Sequence, residues 1–234
     1  MYLADLQATL AQQADPEDAR NLLRYFKTGP GDYGEGDRFR GIRMPVLRSL
    51  VRQYRTVPVE DAFDLLTSAF HEDRMLALLL LVSHFKRGKA PARKLIYDGY
   101  LSHTSPINNW DLVDSSASQI VGAYLRDKDR APLYRLVASP VLWERRIAVI
   151  ATLDYIKQGA FDELFRLAVF LLDDPEDLIH KAVGWMLREA GKRDLAAEEA
   201  FLHAHYPRMP RTMLRYAIEK FPEPRRQAYL KGTV

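Results

Sequence analysis

Apolar residues recur every three or four positions along almost the whole chain, and no stretch alternates apolar and polar residues for long. This spacing collects apolar side chains on one face of an α-helix, whereas a half-buried strand needs a period of two. Glycine, proline and aspartate interrupt the pattern where helices end, as at Gly88, Pro106 and Gly159. The sequence therefore predicts an all-α protein, with helices at residues 2–13, 16–27, 44–54, 59–70, 73–87, 90–101, 109–126, 130–138, 141–157, 161–172, 176–191, 195–204, 212–221 and 224–231.

The predicted helices are short and joined by tight turns, which is typical of helical pairs stacked as in HEAT-like repeats. A unit of roughly 30–45 residues fits the helix spacing, although the units share little sequence similarity. We expect a single HEAT-like repeat domain over residues 1–234. Such an α-α superhelix has a concave groove that suits an extended ligand, such as duplex DNA or a peptide.

Composition narrows the class of protein. The chain has 234 residues, of which 47% are hydrophobic and 28% charged, as in an ordinary globular protein. The absence of cysteine excludes disulfides, thiolate zinc sites and iron–sulfur clusters, and the six histidines lack metal-ligand spacing, so we expect neither metal nor cofactor. No apolar run approaches the roughly 20 residues of a membrane helix, and no signal pattern opens the chain. We expect a cytoplasmic protein.

The segment at residues 106–116 carries the most suggestive chemistry. It reads as a helix start that Asn108 or Asn109 caps, with Val113 in the middle of the apolar stripe. Trp110 and Asp114 then share one edge of that stripe. An aromatic face and a carboxylate together suit a cation or a transition state that becomes cationic. The alternative is a Trp at the core edge beside an Asp that pairs with an arginine of the next helix, and the spacing alone leaves both open.

Basic residues outnumber acidic ones only slightly, 34 to 31, so their distribution matters more than the net charge of +3. Arg48 and Arg52 lie on one helix face, which indicates either phosphate contacts or merely a solvated surface. Trp185 falls on the polar side of its helix, between Lys181 and Arg188. A tryptophan so placed either packs on an adjacent repeat or faces a ligand.

The one long irregular segment, residues 28–43, is called the Gly-rich loop below because of Gly29, Gly31, Gly34, Gly36 and Gly41. Its spacing matches neither the P-loop nor a dinucleotide-binding fingerprint, and no strand precedes it. We interpret it as a connector that orders the first helical pair.

Four motifs in order resemble the AlkD family of alkylpurine DNA glycosylases. They are the segments at residues 31–37 (GDYGEGD), 108–114 (NNWDLVD), 142–146 (LWERR) and 181–189 (KAVGWMLRE). Together they extend the resemblance over nearly the whole chain. The resemblance implies a HEAT-like superhelix that binds duplex DNA in a basic concave groove, as a monomer, and hydrolyses the N-glycosidic bond of N3- and N7-alkylated purines in base excision repair without a pocket for an extruded base.

The same resemblance implies roles for particular residues. Asp114 matches the catalytic carboxylate, and Trp110 and Trp185 match paired tryptophans that contact the deoxyribose at the lesion. Arg146 matches an arginine that holds the DNA backbone, and Tyr25 matches a further aromatic residue of the first repeat. Two other readings stay open: a non-catalytic protein that binds DNA structure, and a helical-repeat scaffold for protein partners.

Overall fold

The computed structural model describes residues 2–234, and these residues form helices without any strand, as the hydrophobic pattern predicts. The chain divides into two compact units, Met1–Ser116 and Ala117–Val234, each of which is described by itself. The first unit contains α1 (Tyr2–Gln12), α2 (Pro16–Tyr25), α3 (Met44–Gln53), α4 (Val59–Leu66), α5 (His71–Arg87), α6 (Ala90–Ser102) and α7 (Trp110–Ala117), whose last residue begins the second unit.

The second unit continues with a π-helical segment (Ser118–Gly122), α8 (Ala123–Leu125), α9 (Ala131–Val137), α10 (Leu142–Ala151), α11 (Leu153–Ile156), α12 (Asp162–Phe170), α13 (Asp177–Gly191), α14 (Leu195–His205), α15 (Arg211–Ala217), a 3₁₀ turn (Ile218–Lys220) and α16 (Glu223–Lys231). None of the helices that the structure describes is both long and apolar enough to span a membrane.

Helix α5 forms the centre of the first unit. It packs against α3, α4 and α6 and is buried around almost its whole circumference, with Leu76, Leu78, Leu80 and Leu81 fully enclosed. A helix that is apolar on all sides can only be stable inside a core. The buried polar residues of α5 all lie in its first turn, where they face the site described below.

Helix α13 has the same central place in the second unit, where it packs against α10, α14 and α15. Gly184 permits the close approach of α15, because a Cβ at this position would lie 2.4 Å from the backbone oxygen of Met213. An apolar stripe of Ile179, Ala182, Val183, Met186 and Ala190 is buried on this helix.

Two predicted helices are interrupted. The predicted helix over 141–157 divides at Thr152, whose hydroxyl donates to the carbonyl of Val149 at 2.6 Å and so competes with the helical ladder. The predicted helix over 109–126 contains the π-helical segment. There Gly122 lies so close to the carbonyl of Ala151 that a Cβ would be 2.2 Å from its oxygen. Both interruptions lie where neighbouring helices pack closely.

Candidate functional site

The start of α7 is fixed by buried amide chemistry. Asn109 is fully buried, and its side-chain oxygen accepts a hydrogen bond from the backbone N–H of Trp110 at 2.8 Å. Its backbone carbonyl accepts the N–H of Val113 at 3.2 Å, which begins the helical ladder. The prediction that an asparagine opens this helix is confirmed.

Trp110 and Asp114 lie at one edge of the buried stripe of α7, as the spacing predicts. Leu112 and Val113 are fully buried, whereas Trp110 and Asp114 are each partly exposed. One edge of the helix therefore presents an aromatic ring and a carboxylate to the surroundings, one turn apart.

Trp110 belongs to an aromatic cluster that the sequence did not reveal. Its ring stacks on Phe26 with centroids 5.5 Å apart, and Phe26 stacks in turn on Phe39 at 5.2 Å. Tyr25 meets Trp110 edge to face at 6.1 Å and is 63% exposed. The structure thus brings together two of the residues that the resemblance singles out, Tyr25 and Trp110. It also adds His71, whose ring lies 4.8 Å from both phenylalanines.

His71 links α5 to α7 and to the Gly-rich loop within the first unit. Its Nε2 lies 2.8 Å from the carboxylate of Asp111, and its Nδ1 lies 3.2 Å from that of Asp37. Asp37 also accepts hydrogen bonds from Arg74 at 2.6 Å and from Asn109 at 3.2 Å. Every member of this polar network therefore bonds to another, which is what allows charged groups to be buried.

The hydrogen bonds of the network favour the charged forms of His71 and Asp37. Burial opposes a charge on His71, but the hydrogen bonds to Asp111 and Asp37 outweigh it and raise the pKa of His71 to about 9. Burial likewise opposes the charge on Asp37, yet His71 and Arg74 lower the pKa of that carboxyl overall. At neutral pH the histidine is a cation and both of its ring nitrogens donate.

The Gly-rich loop is ordered by a carboxylate from α5. Glu72 is buried, and its two oxygens accept the backbone N–H groups of Arg40, Gly41 and Ile42 at 2.8–3.1 Å. The interpretation of the loop as a connector agrees with this geometry. The loop also delivers Asp37 to the polar network, a role that its sequence did not reveal.

A cavity of about 310 Å³ lies in the first unit beside His71 and Asp111. Its walls are mainly apolar, formed among others by Leu22, Phe26, Phe39, Ile42, Leu47 and Met75. The ion pair between Arg43 and Asp18, 2.5 Å apart, closes another side.

The two arginines predicted to bind DNA in the first unit are exposed. Arg48 and Arg52 lie on the outer face of α3, opposite the buried Leu47 and Leu50, and form no ion pair with any of residues 2–234. They are therefore available to an anionic partner.

In the second unit, Trp185 is partly exposed on α13, and its indole N–H donates to Glu189 at 3.2 Å. The two cations beside it are paired as well. Lys181 lies 2.8 Å from the carboxylate of Asp177, and Arg188 forms an ion pair with Glu219. A phosphate group would have to compete with these carboxylates.

Arg146 is placed differently from the other predicted DNA contacts. Its side chain is only 5% exposed, and its guanidinium donates to the backbone carbonyl of Leu178 at 2.5 Å. Contact between Arg146 and the DNA backbone stays a prediction. Little of the side-chain surface is accessible for such a contact. Trp143 of the same motif is buried.

Within residues 2–234, no cluster of three or more histidine, aspartate or glutamate side chains has the arrangement of a metal site. The functional groups of the first unit are thus aromatic rings, carboxylates and cations. These groups can hold a sugar, a phosphate or a developing positive charge.

Short helices pack around α5 in the first unit and around α13 in the second, and this architecture defines the class of protein: an all-α helical-repeat protein. The family described as DNA alkylation repair enzyme matches residues 6–221, and the chain belongs to this family. A solved structure described as a predicted DNA alkylation repair enzyme from Enterococcus faecalis has a similar fold, with a TM-score of 0.69 and 19% identity over 90% of this chain and 98% of that chain. No curated protein matches the sequence.

Proposed function

We propose that the chain is a DNA glycosylase that hydrolyses the N-glycosidic bond of positively charged N3- and N7-alkylated purines in duplex DNA, as in base excision repair. Family membership supports a role in the repair of alkylated DNA. The pairing of Trp110 with Asp114 on the accessible edge of α7, with the ring of Tyr25 beside it, supports the glycosylase chemistry most directly.

The alkylated base can leave without being protonated by the enzyme. An alkylated purine already carries a positive charge, and when the bond from C1′ to the purine nitrogen breaks, the electron pair neutralises that charge on the leaving base. The sugar becomes an oxocarbenium-like cation. Water then adds to C1′ and loses a proton. The carboxylate of Asp114 stabilises the cation and orients the water, as carboxylates do in glycoside hydrolysis.

The aromatic residues complete this reaction site. The electron-rich face of Trp110 suits a sugar that develops positive charge, and stacking on Phe26 keeps the ring in one orientation. Tyr25 extends the same aromatic surface outward. In this proposal the enzyme holds the sugar and backbone of the lesion and has no pocket for an extruded base, in contrast to glycosylases that flip the base into a pocket.

We assign DNA contacts in each unit separately. In the first unit, Arg48 and Arg52 offer exposed cations for phosphates. In the second unit, Trp185 contacts DNA with the help of Lys181, Arg188 and Arg146. The protein acts as a monomer in the cytoplasm, without metal or cofactor.

The proposal is tested by measuring free base released from duplexes that contain a single lesion. We expect release of N7-methylguanine and N3-methyladenine, and none of 8-oxoguanine, which is neutral. Chromatography with mass detection identifies the base. Failure to release either cationic base would overturn the glycosylase assignment, and equal release of 8-oxoguanine would overturn the mechanism based on charge.

A further inference from the structure

His71 is buried, yet it bonds through both ring nitrogens to carboxylates from two other segments. We propose that His71 is a positioning residue for base release, which holds Trp110 and Asp114 in place by clamping the first turn of α7. The inference rests on the proposed function but concerns a residue that lies outside the four motifs.

His71 supports Trp110 by two routes. Through Asp111, which directly follows Trp110, the imidazole fixes the first turn of α7. Through Phe26, whose ring lies 4.8 Å from His71 and 5.5 Å from Trp110, it supports the indole from behind. A buried side chain thus determines the orientation of the partly exposed indole.

The charges around His71 explain why this clamp is rigid at neutral pH. Asp37 faces it from the Gly-rich loop, Asp111 from α7, and Arg74 and Glu72 from its own helix. Arg74 donates a hydrogen bond to the carboxylate of Asp37, and the carboxylate of Glu72 accepts backbone N–H groups of the Gly-rich loop. Across the cavity, Asp18 and Arg43 neutralise each other.

The clamp has two arms, the hydrogen bonds from the imidazole to Asp111 and to Asp37, and protonation keeps both in place. A neutral imidazole has one donor and one acceptor, so it can donate to only one of Asp37 and Asp111. Because the pKa of His71 is raised to about 9, the doubly donating form prevails until the solution becomes strongly basic. Loss of the proton releases one arm of the clamp.

Two substitutions separate the arms. In His71→Gln the amide nitrogen falls near the position of Nε2 and can still donate to Asp111. In His71→Asn it falls near Nδ1 and can donate only to Asp37. We expect His71→Gln to keep single-turnover base release within about 3-fold of the native protein. His71→Asn should lose at least about 10-fold, and both variants should bind lesion-free duplex as tightly as the native protein does.

His84, which is partly buried on the same helix, provides the matched control. His84→Gln should leave base release unchanged. Equal losses in His71→Gln and His71→Asn would overturn the proposal, because a general packing role affects both alike. A loss that appears only in duplex affinity would also overturn it.

A second measurement needs neither DNA nor catalysis. In a protein with Trp143→Phe, Trp185→Phe and Tyr25→Phe, the fluorescence reports Trp110 alone, without the Tyr25 hydroxyl beside it. We expect its emission to change between pH 8 and 10 with a midpoint near 9. The change should vanish on adding either His71→Gln or His71→Asn, while circular dichroism confirms folding.

This experiment distinguishes the two proposals. If the native protein releases no alkylated base, the proposed function fails, yet the fluorescence transition still tests the clamp. Two results would overturn the clamp itself. One is a flat emission profile in the triple variant that keeps His71, and the other is a transition that survives both His71 substitutions.

Discussion

At the scale of single residues, helical spacing predicts where Trp110 and Asp114 lie, but it does not predict what Asp111 does. The same geometry that groups the first two residues points Asp111 to the opposite side of Val113. The structure nevertheless shows its carboxylate 2.8 Å from His71, forty residues earlier in the chain. Periodicity within one helix identifies faces, whereas the identity of the segment that packs on each face depends on tertiary contacts.

Glu198 leads to a prediction on the pH dependence of stability. Burial, followed by the charge of Glu199, raises the pKa of Glu198 to about 8. Between roughly pH 4.5 and 8, the folded protein therefore holds a proton that the unfolded chain releases, so the free energy of unfolding falls as pH rises. In Glu198→Gln this loss should disappear, and the variant should melt several degrees above the native protein at pH 9.

Thermal unfolding followed by circular dichroism between pH 5 and 9 measures this difference. Asp64→Asn, which removes an exposed carboxylate, should follow the native protein at every pH. Parallel profiles for the native protein and Glu198→Gln would show that the carboxyl is ionised in the folded state.

At the scale of elements, the presence of the helices followed from the hydrophobic pattern, but their interruptions and packing partners did not. The division at Thr152 and the π-helical segment depend on hydrogen bonds and close approaches that spacing cannot encode. The Gly-rich loop shows the same limit. Its glycines predicted a connector, whereas the delivery of Asp37 to His71 required the fold.

Two glycines of this loop give a matched prediction. Gly41 has φ +82°, and a Cβ there would lie 2.0 Å from the backbone oxygen of Asp15. Gly31 has φ +79° but open space around it. We expect Gly31→Ala to cost about 1 kcal/mol for the left-handed conformation and Gly41→Ala clearly more, at least about 2 kcal/mol, because backbone must also move.

Urea denaturation of the two variants measures the difference, and both lose the same glycine flexibility in the unfolded chain. Equal destabilisation would show that the packing of Gly41 against the start of α2 does not constrain the loop.

At the scale of the whole molecule, the all-helical repeat fold and the family were accessible from the sequence, because the hydrophobic period and the motifs extend along the chain. The electrostatic surface was less accessible. Arg48 and Arg52 are exposed as expected, but the cations beside Trp185 are paired with carboxylates and Arg146 is buried. The number of charged residues can be read from the sequence, whereas the fold determines which of them can contact a DNA phosphate.

This distribution predicts how salt affects binding of duplex DNA. Each phosphate contact contributes roughly 0.9 to the slope of log affinity against log salt concentration. The double variant Arg48→Ala with Arg52→Ala should therefore reduce the slope by about 2, whereas Arg226→Ala, at an arginine paired with Glu223, should leave it unchanged. Fluorescence anisotropy between 50 and 300 mM salt provides the measurement. A slope near zero for the native protein would instead favour a scaffold for protein partners.

In the proposed reaction Asp114 stabilises the developing sugar cation, and single-turnover release of N7-methylguanine from duplex DNA tests this role. We compare the native protein with Asp114→Asn and with Asp64→Asn, which removes an exposed carboxylate of the same unit. We expect a rate at least about 10-fold lower for Asp114→Asn, about 1.4 kcal/mol in barrier, and a native rate for Asp64→Asn. An Asp114→Asn protein that is folded and as fast as the native one would rule out a catalytic role for this carboxylate.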